Sequence, residues 1–446
     1  MTARRTRTPR KGPTLRASPL TRLPAHMPRL PPAMRSRAAL GLTAAAALGR
    51  FQLPVCADCG AVQYPPRETC HRCLSDRLPW KDQTGSGELI AETTVHLSQD
   101  PYFRERVPWR VGMVRLDAGP TLIAHLPAAG APAPVRVRVA AKLDKSGQGV
   151  LVAFPIDEVM TMAGDRQLRE MTCDPEGRKV LVTDGETAVG QALVRRLLAA
   201  GAEQVWVGHG RSWKKSPGCA EIAALPRVAM LSLDLTDSKS VKNLAGEIGG
   251  QIDILINSAE VHRLYGGATR TANPARTANP ARGGNSARGG SAARSAIDDA
   301  RAEMDINYFG LLRLAQEIGP AMKSRAAAGP AGPIAWVNLL SIYALSNFPS
   351  HGTFSASKAA ALSLSQCLRA EFRPSGVRVI NVFPGPIDDE WSETLPPPKL
   401  SPDALAKAVV RALEDGVEDV YPGEVAQEWL LRWRDNPKIL ERELSA

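Results

Sequence analysis

From Lys179 to Gly416, short apolar runs alternate with amphipathic stretches. KVLVT, VWVG, VAMLSLDLTD, IDILINSAE, IAWVNLLS and VRVINVFPGP have strand character. QALVRRLLAAGA, residues 298–325, FSASKAAALSLSQCLRAEF and SPDALAKAVVRALEDG have helical spacing. Strands this apolar, each followed by a helix, pack as a parallel sheet covered on both faces. The fold class expected for 179–446 is therefore α/β, a Rossmann-like doubly wound parallel sheet.

The chain upstream has a different rhythm. Cys56-x-x-Cys59 and Cys70-x-x-Cys73 are separated by ten residues. Two such knuckles supply the four thiolates of a tetrahedral zinc site, and Gly60 permits the tight turn after the first pair. Four thiolates complete the shell, so the expected zinc is structural. GSGELIAETTVHL, WRVGMVRLDAGPTLIAHL, VRVRVAAKL and GQGVLVAF then suit a small all-β barrel of the OB type. The expected division is a disordered basic tail over 1–36, a helix and zinc ribbon over 37–80, the OB-fold over 81–155 and a linker over 156–178. The sheet domain follows, interrupted by a low-complexity insertion at 263–296 that carries TANPAR twice.

The net charge of +11 is a property of the tail. Residues 1–50 hold 11 Lys/Arg and no acid, leaving 45 basic against 45 acidic residues in the remainder. A basic tail without a basic face, and a barrel poor in aromatic platforms, argue against nucleic-acid binding. No apolar run approaches the roughly 20 residues of a membrane span. Free thiols and a zinc ribbon point to a cytoplasmic protein. RSRAALGLTAAAALGR is read as a helix leading into the ribbon, not as an export signal.

Two resemblances sharpen these expectations. CADCGAVQYPPRETCHRCLSDRLPW with GSGELIAETTVH resembles the rubredoxin-type zinc-ribbon/OB-fold family that accompanies thiolases or thiolase-like aldolases. This implies a module of acyl-CoA metabolism that docks a partner, or binds acyl-CoA, without chemistry of its own. The C-terminal domain resembles the short-chain dehydrogenase/reductase family. In that family a lysine lowers the pKa of a tyrosine and holds the nicotinamide ribose, a serine orients the substrate oxygen, and an asparagine completes a proton relay. Ser341, Lys358 and Asn307 match these roles, but Phe354 stands in place of the tyrosine.

The resemblance implies cofactor contacts at Thr183, Gly185, Gly190, Arg211, Asp234, Asn257, Lys358, Pro384 and Gly385. Arg211, with Lys214 and Lys215 behind it, implies NADP rather than NAD. Four departures oppose this. Asp184 and Glu260 replace glycines, Asp389 replaces a threonine, and Phe354 cannot transfer a proton. Loss of the general acid/base alone costs roughly 100- to 10,000-fold in rate. NADP binding is therefore expected to be weak or absent. The expected protein is an accessory scaffold, oligomeric through its dehydrogenase-like domain, with impaired or lost catalysis. The alternative expectation is an active NADP-dependent oxidoreductase on acyl-CoA intermediates.

Overall fold

The computed structural model describes residues 29–445 except 157–161, 211–216, 263–295, 329–332, 390–391 and 393–394. Most of the basic tail, Arg211, Lys214, Lys215 and both TANPAR copies lie outside the described residues.

A helix, Leu40–Ala47, leads into an antiparallel pair, β1 (Gln52–Pro54) and β2 (Trp80–Asp82), which carries the two knuckles. Five strands follow: β3 (Ser86–Val95), β4 (Trp109–Leu116), β5 (Thr121–His125), β6 (Val135–Leu143) and β7 (Gly149–Pro155). They close into a barrel in the order β3-β4-β5-β7-β6. Alternation sets the core. Leu122 and Ala124 on β5 point inward, as do Val137, Val139, Ala141 and Leu143 on β6, and the helix adds Leu42 and Ala46.

The C-terminal sheet has seven strands: β8 (Lys179–Val182), β9 (Gln204–His209), β10 (Val228–Ser232), β11 (Ile254–Asn257), β12 (Ile334–Leu339), β13 (Val377–Val382) and β14 (Asp419–Val420). All pairs are parallel, in the order β10-β9-β8-β11-β12-β13-β14. Strand order reverses between β8 and β11, which is where such sheets open a crevice. Every residue of β11, β12 and β13 is buried, as a sheet covered on both faces requires. The expected α/β fold, zinc ribbon and barrel are therefore all present. The two-residue edge strand β14 and two C-terminal helices, Glu424–Asp435 and Pro437–Glu443, lie beyond the elements read from sequence.

The segment expected as a linker is built into the fold instead. Gln167, Leu168, Glu170, Met171, Thr172 and Cys173 are all buried. Thr172 Oγ1 donates to the Glu414 carbonyl at 2.7 Å, and Glu170 accepts from Tyr102 Oη at 2.7 Å and from Arg106 Nη2 at 2.9 Å. Arg378, on β13 and 7% exposed, joins the two halves. Its guanidinium donates to the carbonyls of Leu143 and Asp144 in the barrel, of Met171, and of Gly416, at 2.8–3.1 Å. The polar composition of the segment hid this, because its polar groups are bonded to protein and not to water. The long helix expected over 298–325 is also broken. It runs as Ala296–Met304, a π-turn at Asp305–Gly310, Leu311–Glu317 and Gly319–Ala327.

Candidate functional site

The zinc ribbon is the simpler of two sites. In the first knuckle, Gly60 N donates to Cys56 O at 3.0 Å, with Gly60 at φ +72°. In the second, Leu74 N donates to Cys70 O at 3.0 Å, with Leu74 at φ 63°. The Sγ atoms of Cys56, Cys59, Cys70 and Cys73 lie within 4.8 Å of one another. Zn–S bonds of about 2.3 Å give a tetrahedral S···S edge of about 3.8 Å. The Cys56–Cys73 and Cys59–Cys70 separations, 3.5 and 3.6 Å, fit that edge. Four thiolates would hold the metal, with no position left for substrate.

The second site lies at the crevice between β8 and β11. Thr183 stitches the two strand ends together: its Oγ1 accepts from Ser258 N at 3.0 Å and Ala259 N at 3.2 Å, and contacts Asn257 Oδ1 at 3.4 Å. The turn that follows satisfies its own amides. Asp184 Oδ1 accepts from Glu186 N at 2.8 Å, and Thr187 Oγ1 caps the helix Ala188–Ala199 by accepting from Gly190 N at 3.1 Å. Two amides of the turn, Glu186 N and Gly190 N, are thus held by its own side chains.

Burial pushes the Glu186 carboxyl above its usual pKa, against an opposing pull from His209. Gly185 and Gly190 are needed for close packing. A Cβ at 185 would stand 2.1 Å from Val207 Cγ1, and one at 190 would stand 1.8 Å from Asp184 O. Asp234 Oδ1 accepts from Thr236 N at 2.9 Å and Thr236 Oγ1 at 2.6 Å, forming a turn ahead of the helix Ser238–Ile248.

Across the crevice, Lys358 projects from the helix Gly352–Phe372 and is only 2% exposed. Its Nζ donates to Leu339 O at 3.0 Å and pairs with Glu260 Oε2 at 2.6 Å. Asn307 sits in the π-turn, a distortion that often marks functional positions. Its amide brackets Val261, accepting from Val261 N and donating to Val261 O, each at 2.9 Å, and it donates to Ser357 Oγ at 2.9 Å. Ser341 Oγ accepts from Tyr343 N at 3.2 Å. Pro384 O accepts from Ile342 N at 3.0 Å, and Gly385 lies against Val425 and Ile342. Asp389 accepts from Ser392 N at 3.1 Å.

Sequence reading missed what surrounds Phe354. His262, five residues past the end of β11, stacks on the Phe354 ring with centroids 4.4 Å apart. His262 Nε2 and His351 Nδ1 share a 2.7 Å hydrogen bond. His351 stacks under Tyr343, which meets Trp429 of the helix Glu424–Asp435 edge-on at 5.6 Å. Burial lowers the His351 pKa to about 4. Burial, the neighbouring His351 and the charge on Lys358 lower that of His262 to about 3. Burial raises the Tyr343 hydroxyl to about 12. At neutral pH both imidazoles are uncharged, so one nitrogen of the shared bond donates and the other accepts. The signal available in the sequence was that two of only seven histidines stand just before Phe354 and just past the end of β11.

The architecture, with its parallel sheet, its crevice and a Ser/Asn/Lys set beside it, is that of a dinucleotide-dependent oxidoreductase fold. The chain belongs to the short-chain dehydrogenase family, whose model matches residues 178–399. Ahead of it, residues 43–79 match the ChsH2 rubredoxin-like zinc ribbon domain and residues 80–143 the ChsH2 C-terminal OB-fold domain. A short chain dehydrogenase from Burkholderia cenocepacia, solved in complex with NADP, is 33% identical. The match covers 61% of this chain and 99% of that one, with a TM-score of 0.51. An uncharacterized oxidoreductase of Staphylococcus aureus is 26% identical over 52% of this chain and 89% of its own. Dehydrogenase/reductase SDR family member 7C of Mus musculus is 28% identical over 57% and 72%.

Among the described residues, two features of the crevice do not fit a dinucleotide. The ammonium of Lys358 is engaged by a carboxylate. The turn at the start of the helix Ala188–Ala199 holds two of its amides with its own side chains and carries Asp184 and Glu186. A like charge a few ångströms from a phosphate costs on the order of 1 kcal/mol or more.

Proposed function

We propose that this protein is an accessory component of acyl-CoA metabolism. Its zinc ribbon and OB barrel dock a thiolase- or aldolase-type partner. Its dehydrogenase-like domain serves as a rigid platform with lost or severely impaired turnover. The single observation that carries this reading is the aromatic packing around Phe354. The ring is 4% exposed, covered by His262 on one side and edge-on to Tyr343 at 6.4 Å. The position that would present a hydroxyl to substrate is a packed hydrocarbon. The Arg378 junction supports the platform role, because it fixes the barrel against the sheet.

Two assays on full-length, zinc-loaded protein test the reading. Affinity capture with a co-expressed thiolase-type protein should recover a complex, and Cys70→Ser should abolish it. Turnover of 3-oxoacyl-CoA with NADPH should not exceed that of Lys358→Ala. Turnover well above that control contradicts the loss of catalysis, and the absence of both a complex and acyl-CoA binding contradicts the docking role.

A second reading rests on the His262–His351 pair. Two hydrogen-bonded neutral imidazoles beside Phe354 are chemically able to relay a proton. On that reading the domain is an NADP-dependent reductase of acyl-CoA intermediates that uses histidine in place of tyrosine. His262→Ala would then abolish a measurable turnover, whereas the accessory reading has no turnover to abolish.

A further inference from the structure

We infer that Glu260 is the residue that excludes a nicotinamide dinucleotide, by occupying Lys358 as an internal substitute for the ribose. The inference rests on the accessory reading above and names the side chain responsible for it. Lys358 is a buried ammonium that needs a fixed partner set. It has one carbonyl, Leu339 O at 3.0 Å, and one carboxylate, Glu260 Oε2 at 2.6 Å. Glu260 reaches this place from the rim, with its side chain 23% exposed against 2% for Lys358.

The backbone around Glu260 is pinned on both sides. Ala259 N donates to Thr183 Oγ1 at 3.2 Å, and both backbone polar groups of Val261 are held by Asn307 at 2.9 Å. Moving the chain at residue 260 aside would therefore cost these bonds. A rotation of the Glu260 side chain would also free Lys358, and it would strip the buried ammonium of its counter-charge. A ribose diol offers neutral hydroxyls to the same nitrogen. A charge-assisted bond to a carboxylate is the stronger competitor.

Titration calorimetry of NADPH into the full-length, zinc-loaded protein tests this. Wild type, Glu260→Gly, Glu260→Gln and the double variant Glu260→Gly/Lys358→Met are compared. Glu260→Gly removes both charge and bulk and should bind at least tenfold more tightly than wild type. Glu260→Gln keeps the shape, removes the charge and should gain less. The double variant should lose the gain, because the gain runs through Lys358.

Should Glu260→Gly melt before the wild type does, the near-isosteric Glu260→Gln carries the test at a temperature where both are folded. An equal and weak affinity in all four proteins overturns the Glu260 assignment and leaves the accessory reading standing. Tight binding by wild type overturns the assignment directly. If that binding is accompanied by turnover, the accessory reading falls with it.

Discussion

The zinc ribbon and the dehydrogenase-like crevice are both places where side chains converge, and they converge to opposite ends. In the ribbon, backbone turns at Gly60 and Leu74 aim four thiols at a common point and leave that point to an ion. In the crevice, Lys358, Asn307 and Ser341 are present, but each is engaged by a neighbour: Glu260, Val261 and Tyr343 respectively. Matching residues are thus a sufficient sign of a site only when nothing else in the chain satisfies them. Cysteine knuckles come near that condition, because four thiolates gathered at one point repel one another until a cation joins them. A lysine does not, because any carboxylate within reach can claim it.

The largest expected effect comes from breaking the ribbon. Cys70→Ser, or exhaustive chelation, should remove the zinc measured by atomic absorption and unfold residues 43–79, since binding a structural zinc is worth about 10–16 kcal/mol in small modules. The barrel shares its core with this segment through Ala46, Phe51 and Leu53, so it should be destabilised as well. A chain that keeps its zinc after Cys70→Ser would deny the four-thiolate assignment.

Next in size is the junction between the halves. Arg378→Met leaves four buried carbonyls without their donor and should cost about 3 kcal/mol in denaturant unfolding. It should also split the transition into two. A single unchanged transition would mean that the barrel and sheet are held together some other way.

Acid sharpens the comparison within the crevice. His262 and His351 have folded pKa values of about 3 and 4 against an ordinary 6.5. Above pH 6.5 the unfolded chain gains nothing from them. Below it, the unfolded chain takes up protons that the folded chain refuses, so stability falls as pH drops from 6.5 toward 4. His125 adds to this with a pKa lowered to about 4, mainly by burial, and its Nδ1 must stay unprotonated to accept from Trp109 Nε1 at 2.9 Å. The melting temperature should fall on the order of 5 °C or more across that window. His262→Gln should flatten the dependence, and an unchanged slope would contradict the buried neutral pair.

The smallest effect belongs to the surface. Arg136 and Asp117 form a bidentate pair on the barrel exterior, both about half exposed. Arg136→Ala should leave the denaturant midpoint unchanged within error, and a clear shift would mean that this exposed pair is not screened by solvent.

Much of the fold was legible in the sequence, for a physical reason. Strands buried on both faces must be apolar throughout, and KVLV, ILIN and VRVINV announce themselves. The knuckles are equally plain, because the ligands of a zinc site are close in sequence. What was not legible depends on partners far apart along the chain. Glu260 could be flagged as a misplaced carboxylate, but its pairing with Lys358, nearly a hundred residues on, could not. His262 and His351 meet only because the end of β11 and the start of the helix Gly352–Phe372 face one crevice. The segment 162–178, buried at 167–168 and 170–173, looked like a linker because its polar groups gave no hint of distant partners in the fold.

The most direct test of the central claim, that this crevice is closed to a dinucleotide by its own side chains, is a calorimetric titration of NADPH into the wild-type protein. The account predicts no saturable binding up to about 1 mM. Saturation with a Kd of about 10 µM or below would contradict it.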